Sequence, residues 1–312
     1  MSNDAGSPSS SDRLQTWMMI VNPNAGGKKG TKHWPVISGL LRAEGIRFET
    51  RTTKGRSHAI TLASEAAAAG YRKFCIVGGD GTLNEVVNGL MQVPGLDPAD
   101  FLIGMIPVGT GNDWCRMYRI PFDYGAAVKT LKEEKRFVQD IGKVTFFQHG
   151  ELRHRWFINV AGMGYDALVA KKTNLLKEKG RGGPFTYLYF VFAGLLQYKF
   201  MEAVIEVDNK VVYKGEVFSM NIGICKYNGG GMMQVPFAVP DDGLLDLMLI
   251  KKAPKWMVIR YANKLYDGTL VDLPIVITSR GKSIRIRSVG KIYLRSEERR
   301  VGKECRSRGE AY

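Results

Sequence analysis

Residues 78–85, Gly-Gly-Asp-Gly-Thr-Leu-Asn-Glu, place three glycines and one acid in a single short stretch. Glycines let a backbone approach another group closely, and a helix N-terminus favours an anion. Asp80 is badly placed to hold a phosphate alone and well placed to hold a metal ion or its water. Two more stretches are glycine-rich or polar: Asn22-Pro23-Asn24-Ala25-Gly26 and Gly109-Thr110-Gly111-Asn112-Asp113. If the loops are neighbours, Asp80 and Asp113 could hold a magnesium–water network between nucleotide phosphates and an acceptor hydroxyl. The plain alternatives are a ligand-free turn for the first stretch and helix N-capping for Asp113.

The elements around these loops decide whether they can meet. Residues 74–77, Phe-Cys-Ile-Val, form a short apolar run bounded by charge and glycine, which predicts a buried strand. Thr82-x-x-Glu85 is a capping-box pattern, and Val86, Val87, Leu90 and Met91 follow at helical spacing. Residues 17–21 predict a first strand, with Trp34, Ile37, Leu40 and Leu41 marking the helix after it. A strand opens at residues 46–48. An alanine-rich helix over 57–69 is capped by Ser57 and closed by Gly70, and residues 102–108 give another strand. This alternation predicts a parallel sheet with helices on its faces, and ligands of such sheets sit beyond the carboxyl ends of the strands. All three loops lie at those ends.

From about residue 140 the period changes to two. Residues 143–147 and 155–160 flank a His149-Gly150 turn, and residues 203–207 and 211–213 flank Asp208-Asn209, a hairpin signal. Residues 218–222, 244–250 and 284–286 continue the alternation, with one helical interruption over 167–198. The fold class expected is therefore α/β followed by β: a three-layer α/β nucleotide-binding domain, then an antiparallel β-sandwich, with the active site in the cleft between them. The boundaries read as a disordered lead at 1–13, the α/β domain at 14–139 and the β domain at 140–294.

The net charge of +15 suits nucleic acid, anionic phospholipid or phosphorylated substrates. No basic run carries interleaved aromatics for base stacking, so lipid and nucleotide phosphate rank above nucleic acid. Cys75, Cys115, Cys225 and Cys305 show no CxxC pairing, and no histidine lies at metal-ligand spacing, which fits a reducing compartment. The longest uncharged apolar run, residues 185–198, is too short to span a bilayer and predicts a core helix or one resting on a membrane surface. A dinucleotide fingerprint fails, because Gly79-x-Gly81-x-x-Asn84 lacks its third glycine, and no GxxxxGK[ST] occurs. Lys28 and Lys29 could touch phosphates but read more simply as solvated. None of the four histidines has a Ser or Cys partner by sequence, so nucleophile chemistry of that kind is not supported.

The three loops, taken with Pro107-Val108 ahead of the third, resemble successive motifs of the diacylglycerol-kinase-type lipid kinases. Gly229-Gly230-Gly231-Met232, Pro236-x-Ala238 and Asp242-Gly243-Leu244-Leu245-Asp246 are similar to its bacterial branch. GGDGT alone is shared with NAD kinases; the set together is far more specific. The resemblance implies an ATP-dependent kinase acting on the hydroxyl of a membrane lipid such as diacylglycerol, in the cytoplasm and peripherally attached to an anionic membrane, with no nucleic-acid partner and with room for a homodimer. It implies nucleotide contacts from Asn22, Pro23, Asn24, Ala25, Gly26, Thr53, Gly78, Gly79, Asp80, Gly81, Thr82, Leu83, Asn84 and Thr110. Asp80 and Asp113 would serve the catalytic Mg2+ network. A second, structural Mg2+ would be held by the Asp242 side chain and the carbonyls of Val239 and Leu244. The competing readings are an NAD kinase relative and a nucleotide-binding protein without catalysis.

One departure stands out. The family places an Asp-Gly-Glu in a late strand, its glutamate the proposed base. Here Arg295-Ser296-Glu297-Glu298-Arg299-Arg300 stands instead. Residues 295–312 are polar and unpatterned, resemble a translated sequencing adapter and read as a non-native tail. The β domain would then be truncated and the chain inactive for want of its base.

Overall fold

The computed structural model describes residues 10–148, 150–165, 194–195, 198–288, 294–296 and 299–301. The chain divides into two compact units, residues 1–138 and 139–312. The expected helical interruption over 167–198, and with it nearly all of the apolar run 185–198, lies outside the described residues.

In the first unit, β1 (Trp17–Val21), β2 (Phe48–Thr52), β3 (Lys73–Gly78) and β4 (Leu102–Pro107) form a parallel sheet in the order β2-β1-β3-β4. Between them run α2 (Ala25–Ala43), α3 (His58–Ala68) and α4 (Asp80–Leu90). After β4 come α5 (Asp113–Met117) and α6 (Tyr124–Glu133). Period-2 alternation sorts the central strands: Trp17, Met19, Val21, Cys75 and Val77 join Ile37 and Leu41 of α2 and Ala127, Val128 and Leu131 of α6 in one core. The alternate residues Met18, Ile20, Phe74 and Ile76 are fully buried too, on the opposite face. Strands buried on both faces need helices on both, which is the three-layer arrangement expected.

The boundaries hold three corrections. Residues 10–13, expected to be disordered, lie in a short helix, α1 (Ser10–Gln15), where Arg13 Nη1 donates to the Ala69 carbonyl at 2.8 Å. That bond serves a carbonyl at the end of α3, a group that a helix C-terminus leaves unpaired. The capping box at the start of α4 does not form. Gly79 is the N-cap and makes no side-chain cap bond, Thr82 Oγ1 instead accepts from Asn22 Nδ2, and Glu85 Oε1 accepts from the Ser57 amide. Ser57 does occupy the N-cap of α3, yet with a left-handed backbone (φ 60°) and no side-chain cap. In each case a long-range partner outbid the local one.

The second unit is antiparallel. β5 (Gly142–Gln148) pairs with β6 (Glu151–Phe157) as a hairpin. A second two-stranded pair joins β10 (Tyr227–Asn228) to β11 (Met232–Met233). The main sheet holds β7 (Val160–Gly164), β8 (Met201–Val207), β9 (Lys210–Gly223), β12 (Leu245–Lys251), β13 (Val276–Gly281), β14 (Ile284–Ser288), β15 (Leu294–Ser296) and β16 (Arg299–Val301). It runs β13-β12-β9-β7-β15-β16, with β8 joining β9 and β14 joining β8. The β8–β9 hairpin turns at Asp208 and Asn209, both at positive φ (47° and 65°), the conformation that a tight two-residue turn demands. Residues 218–222, which alternate like a strand of their own, belong to the fourteen-residue β9. The strand expected over 155–160 is two strands, β6 and β7, broken at Ile158-Asn159. Two short helices that no periodicity announced, α7 (Lys255–Arg260) and α8 (Lys264–Asp267), stand between β12 and β13. Past residue 295, where composition suggested neither strand nor helix, β15 pairs with β7 and β16 with β15. Strand ladders are made by backbone groups, so an unpatterned polar sequence can still complete one.

Candidate active site

The sheet order puts β1 between β2 and β3, so the connections leaving β1 and β3 run to opposite sides. This is a topological switch point, where open parallel sheets form their ligand crevice. The three sequence-marked loops all lie at this end. The first, residues 22–26, follows β1; the second, 78–81, follows β3; the third, 109–113, follows β4.

Specific bonds tie the loops together. Asn22 Nδ2 donates to Thr82 Oγ1 at 2.8 Å and Asn22 Oδ1 accepts the Asn24 amide at 3.0 Å, joining the first loop to the second. A Cβ on Gly26 (φ 60°) would run into the Val108 carbonyl oxygen, so the first loop also lies against the third. The Gly78 carbonyl accepts two amides, those of Val108 at 2.8 Å and Gly109 at 2.9 Å. A Cβ on Gly109 would stand only 2.6 Å from Gly79 Cα, and one on Gly79 3.1 Å from Gly109 Cα. Gly109 needs glycine for room, and Gly79 has little to spare. Thr53, just past β2, is buried and donates its amide to the Val21 carbonyl at 2.9 Å, which sets it beside the end of β1. Thr110 is exposed on the third loop, and Pro23, Gly79 and Gly81 are half-buried. Ala25, Leu83 and Asn84 are buried.

The acids come together on the second and third loops. Asp80 and Asp113 are 6% and 3% exposed, each in the first turn of a helix, where the helix dipole favours a carboxylate. Asp80 Oδ1 accepts the amide of Trp114, the residue after Asp113, at 3.0 Å. Asp113 reaches Arg116 at 3.8 Å, one turn on. N-capping is therefore not Asp113's role; Asn112 holds that position, in a left-handed conformation (φ 52°). Burial pushes the Cys115 thiol well up and the Asp80 carboxylate adds to that, so this cysteine is inert as a nucleophile.

Asn112 is the residue that motif reading passed over. Its Nδ2 donates to the Gly109 carbonyl at 3.0 Å, while its Oδ1 is buried with no hydrogen-bond partner and faces the gap between Gly79 and Gly109. An orphaned buried acceptor wants a donor, such as water on a cation. Glycines that a Cβ would crowd, two buried acids and this acceptor together fit a nucleotide with its magnesium. Glu85 is the other residue whose part was missed: 1% exposed, it holds the Ser57 amide at 2.7 Å and so pins the loop after β2.

The second cation site fits less well. Asp242 Oδ1 accepts the Leu244 amide at 3.1 Å, and Asp246 Oδ2 accepts the Val239 amide at 3.3 Å. The other Asp242 oxygen is taken by Arg280 Nη2, and Arg280 Nε also donates to Asp246 Oδ1 at 2.5 Å. One guanidinium already supplies the positive charge between both carboxylates. Burial raises the Asp246 carboxyl above the usual range, with Arg280 opposing that rise. As arranged, both side-chain oxygens of Asp242 are engaged within the protein. Among the described residues no group of three or more His, Cys, Asp or Glu side chains could hold a metal ion.

Comparison with known proteins covers both units. Residues 16–144 match the diacylglycerol kinase catalytic domain, and residues 159–303 match the YegS C-terminal NAD kinase beta sandwich-like domain. The second match runs past residue 295 and through both late strands. The chain is 31% identical over 285 residues to a diacylglycerol kinase of Staphylococcus haemolyticus, covering 91% of this chain and 82% of that one. It is 32% identical over 272 residues to that of Staphylococcus carnosus, covering 86% and 84%. A crystal structure of a diacylglycerol kinase from Bacillus anthracis superposes with a TM-score of 0.64 at 21% identity, covering 92% of this chain and 90% of that one. Yeast NADH kinase shares the fold more distantly, with a TM-score of 0.51 at 10% identity over 96% of this chain and 79% of that one. With its glycine loops and paired acids at the switch point of the first unit, the chain belongs to the diacylglycerol kinase family, a family of lipid kinases.

Proposed function

We propose that this chain transfers the γ-phosphoryl group of ATP to the hydroxyl of a membrane lipid such as diacylglycerol. One observation carries the reading: the abutting Gly79 and Gly109 backbones, with Asp80 and Asp113 buried on the two helices that leave those loops. Phosphoryl transfer asks a protein mainly for positioning and charge stabilisation. The tight loops supply the first, since backbone amides free to face phosphate need glycines to bring them close. Asp80 and Asp113 supply ligands or water contacts for Mg2+, whose chemistry when bound is to neutralise the charge of the phosphates. The Trp114 amide fixes the Asp80 carboxylate, so its second oxygen has a defined direction. Asn22 and Thr82 close the first loop onto the second and hold the nucleotide side of the crevice.

The test is a labelled-ATP assay of the full chain against diacylglycerol, phosphatidylglycerol, a sphingoid base and NAD. Label on a lipid, lost in Asp80→Asn while ATP binding persists, is the expected result. Label on NAD instead would make the chain an NAD kinase relative. Tight ATP–magnesium binding with transfer to none of the four would make it a nucleotide-binding protein.

A further inference from the structure

The second unit carries an apolar surface that its core does not need. α7 and α8 turn Val258, Tyr261 and Leu265 inward, against a cluster that includes Phe218, Met248 and Leu270. That stripe accounts for their docking on the sheet. On the other side Trp256 is 61% exposed, Ile259 48% and Tyr266 58%. Trp256 and Ile259 are three residues apart on α7 and so share a face. Basic residues are concentrated beside them: Lys251, Lys252, Lys255, Arg260 and Lys264 lie in residues 251–264, a stretch that contains no acid. Lys252 is partly answered by Glu216 at 2.6 Å, and Asp267 is the first acid after the stretch.

We propose that this α7–α8 face is where the protein docks on an anionic phospholipid bilayer. The inference rests on the lipid-kinase reading for its purpose, since the acceptor lies in a bilayer, but its physical argument is separate. Indole is both apolar and polar at one edge and settles at the headgroup level. A basic rim adds attraction to anionic lipid, and the two signals together hold a protein where neither alone would. A protein partner would need a shaped, contiguous patch; a bilayer takes a few scattered apolar side chains within a basic field. Among the described residues no helix is long and apolar enough to cross a membrane, so contact here is by docking on the surface.

The experiment is sedimentation of the full chain, without ATP, on vesicles of phosphatidylcholine with and without phosphatidylglycerol. Trp256→Ala with Ile259→Ala should weaken binding to anionic vesicles by about tenfold or more, and Arg260→Glu should weaken it in a salt-dependent way. Bromine-labelled lipid should quench the chain's tryptophan fluorescence, and Trp256→Phe should abolish most of that quenching. Because these positions are exposed, thermal unfolding should not change, which separates docking from folding. Phosphorylation of a short-chain, dispersed diacylglycerol should also be unaffected, while turnover of the vesicle-embedded lipid falls. Wild-type binding by the double variant, or quenching that survives Trp256→Phe, would overturn the proposal. So would a two-chain mass in solution that drops to one chain in the double variant, since the face would then belong to a second copy. Vesicle binding without kinase activity would sink the function above and leave this surface standing.

Discussion

Replacing Gly109 with alanine tests whether the seam between the two glycine loops is what makes the site. The new Cβ would stand 2.6 Å from Gly79 Cα and 2.6 Å from Asn112 Oδ1, where carbon contacts normally settle at about 3.5–4.0 Å. Backbone is on one side, so no flexible side chain can yield, and the loops must part by about an ångström. Parting them strains the two amide bonds that Gly78 accepts, at 2.8 and 2.9 Å. Overpacking of this kind costs about 1–3 kcal/mol. Gly39, inside α2 with nothing within 4 Å of its missing Cβ, is the matched control; alanine there should stabilise by about 0.5–1 kcal/mol through helix propensity. Urea unfolding and ATP titration of both variants give the comparison. Gly109→Ala should lose stability and at least about tenfold in ATP affinity, since 1.4 kcal/mol corresponds to that factor. If it binds ATP and unfolds like the wild type, the close approach is not needed and the argument for the site fails.

Asp80→Asn keeps an oxygen for the Trp114 amide but removes the charge, so turnover should fall by about two to three orders of magnitude with unfolding unchanged; Asp80→Ala should additionally cost about 1–3 kcal/mol, because it orphans that buried amide. Asn22→Ala removes the bridge to Thr82 and the Asn24 turn bond, and should cost about 0.5–1.5 kcal/mol for each bond lost and weaken ATP binding more than turnover. Asp246 has a folded pKa above its ordinary value, so the native state holds the proton more tightly and this group's contribution to stability falls as pH rises from the ordinary Asp value through the folded one. Arg280→Met removes the cation that opposes the shift. Its destabilisation relative to wild type should therefore be larger at about pH 8 than at about pH 4; equal differences in urea midpoint at both would refute the pairing.

The sheet of the first unit was readable because buried strands and amphipathic helices write their periods into sequence, and residues 17–21 and 74–77 were apolar on both faces. The loops were readable for a different reason: glycines and acids cluster where backbone must come close. Local capping signals misled because Glu85 and Thr82 serve partners far along the chain, which spacing cannot reveal. Asn112 escaped notice because its value lies in an unpaired atom, and the Asp242–Arg280–Asp246 cluster because arginine comes from a strand 38 residues after Asp242. α7 and α8 are too short for a period to be seen, and a face that stays exposed breaks the usual amphipathic pattern. The late strands were missed because their pairing is a backbone matter.

Cys75, Cys115 and Cys225 are buried thiols outside any disulfide, two in the first unit and one in the second. Burial drives the Cys75 thiol, three residues ahead of Gly78 on β3, far above its ordinary range, so no reagent meets a thiolate there until that strand opens. With Cys305 changed to serine, the rate of alkylation becomes a clock for opening, and each unit keeps its own. A nucleotide held on the glycine loops should slow the clock at Cys75 and Cys115 through the stability it lends the first unit. The clock at Cys225 would show whether the second unit feels it.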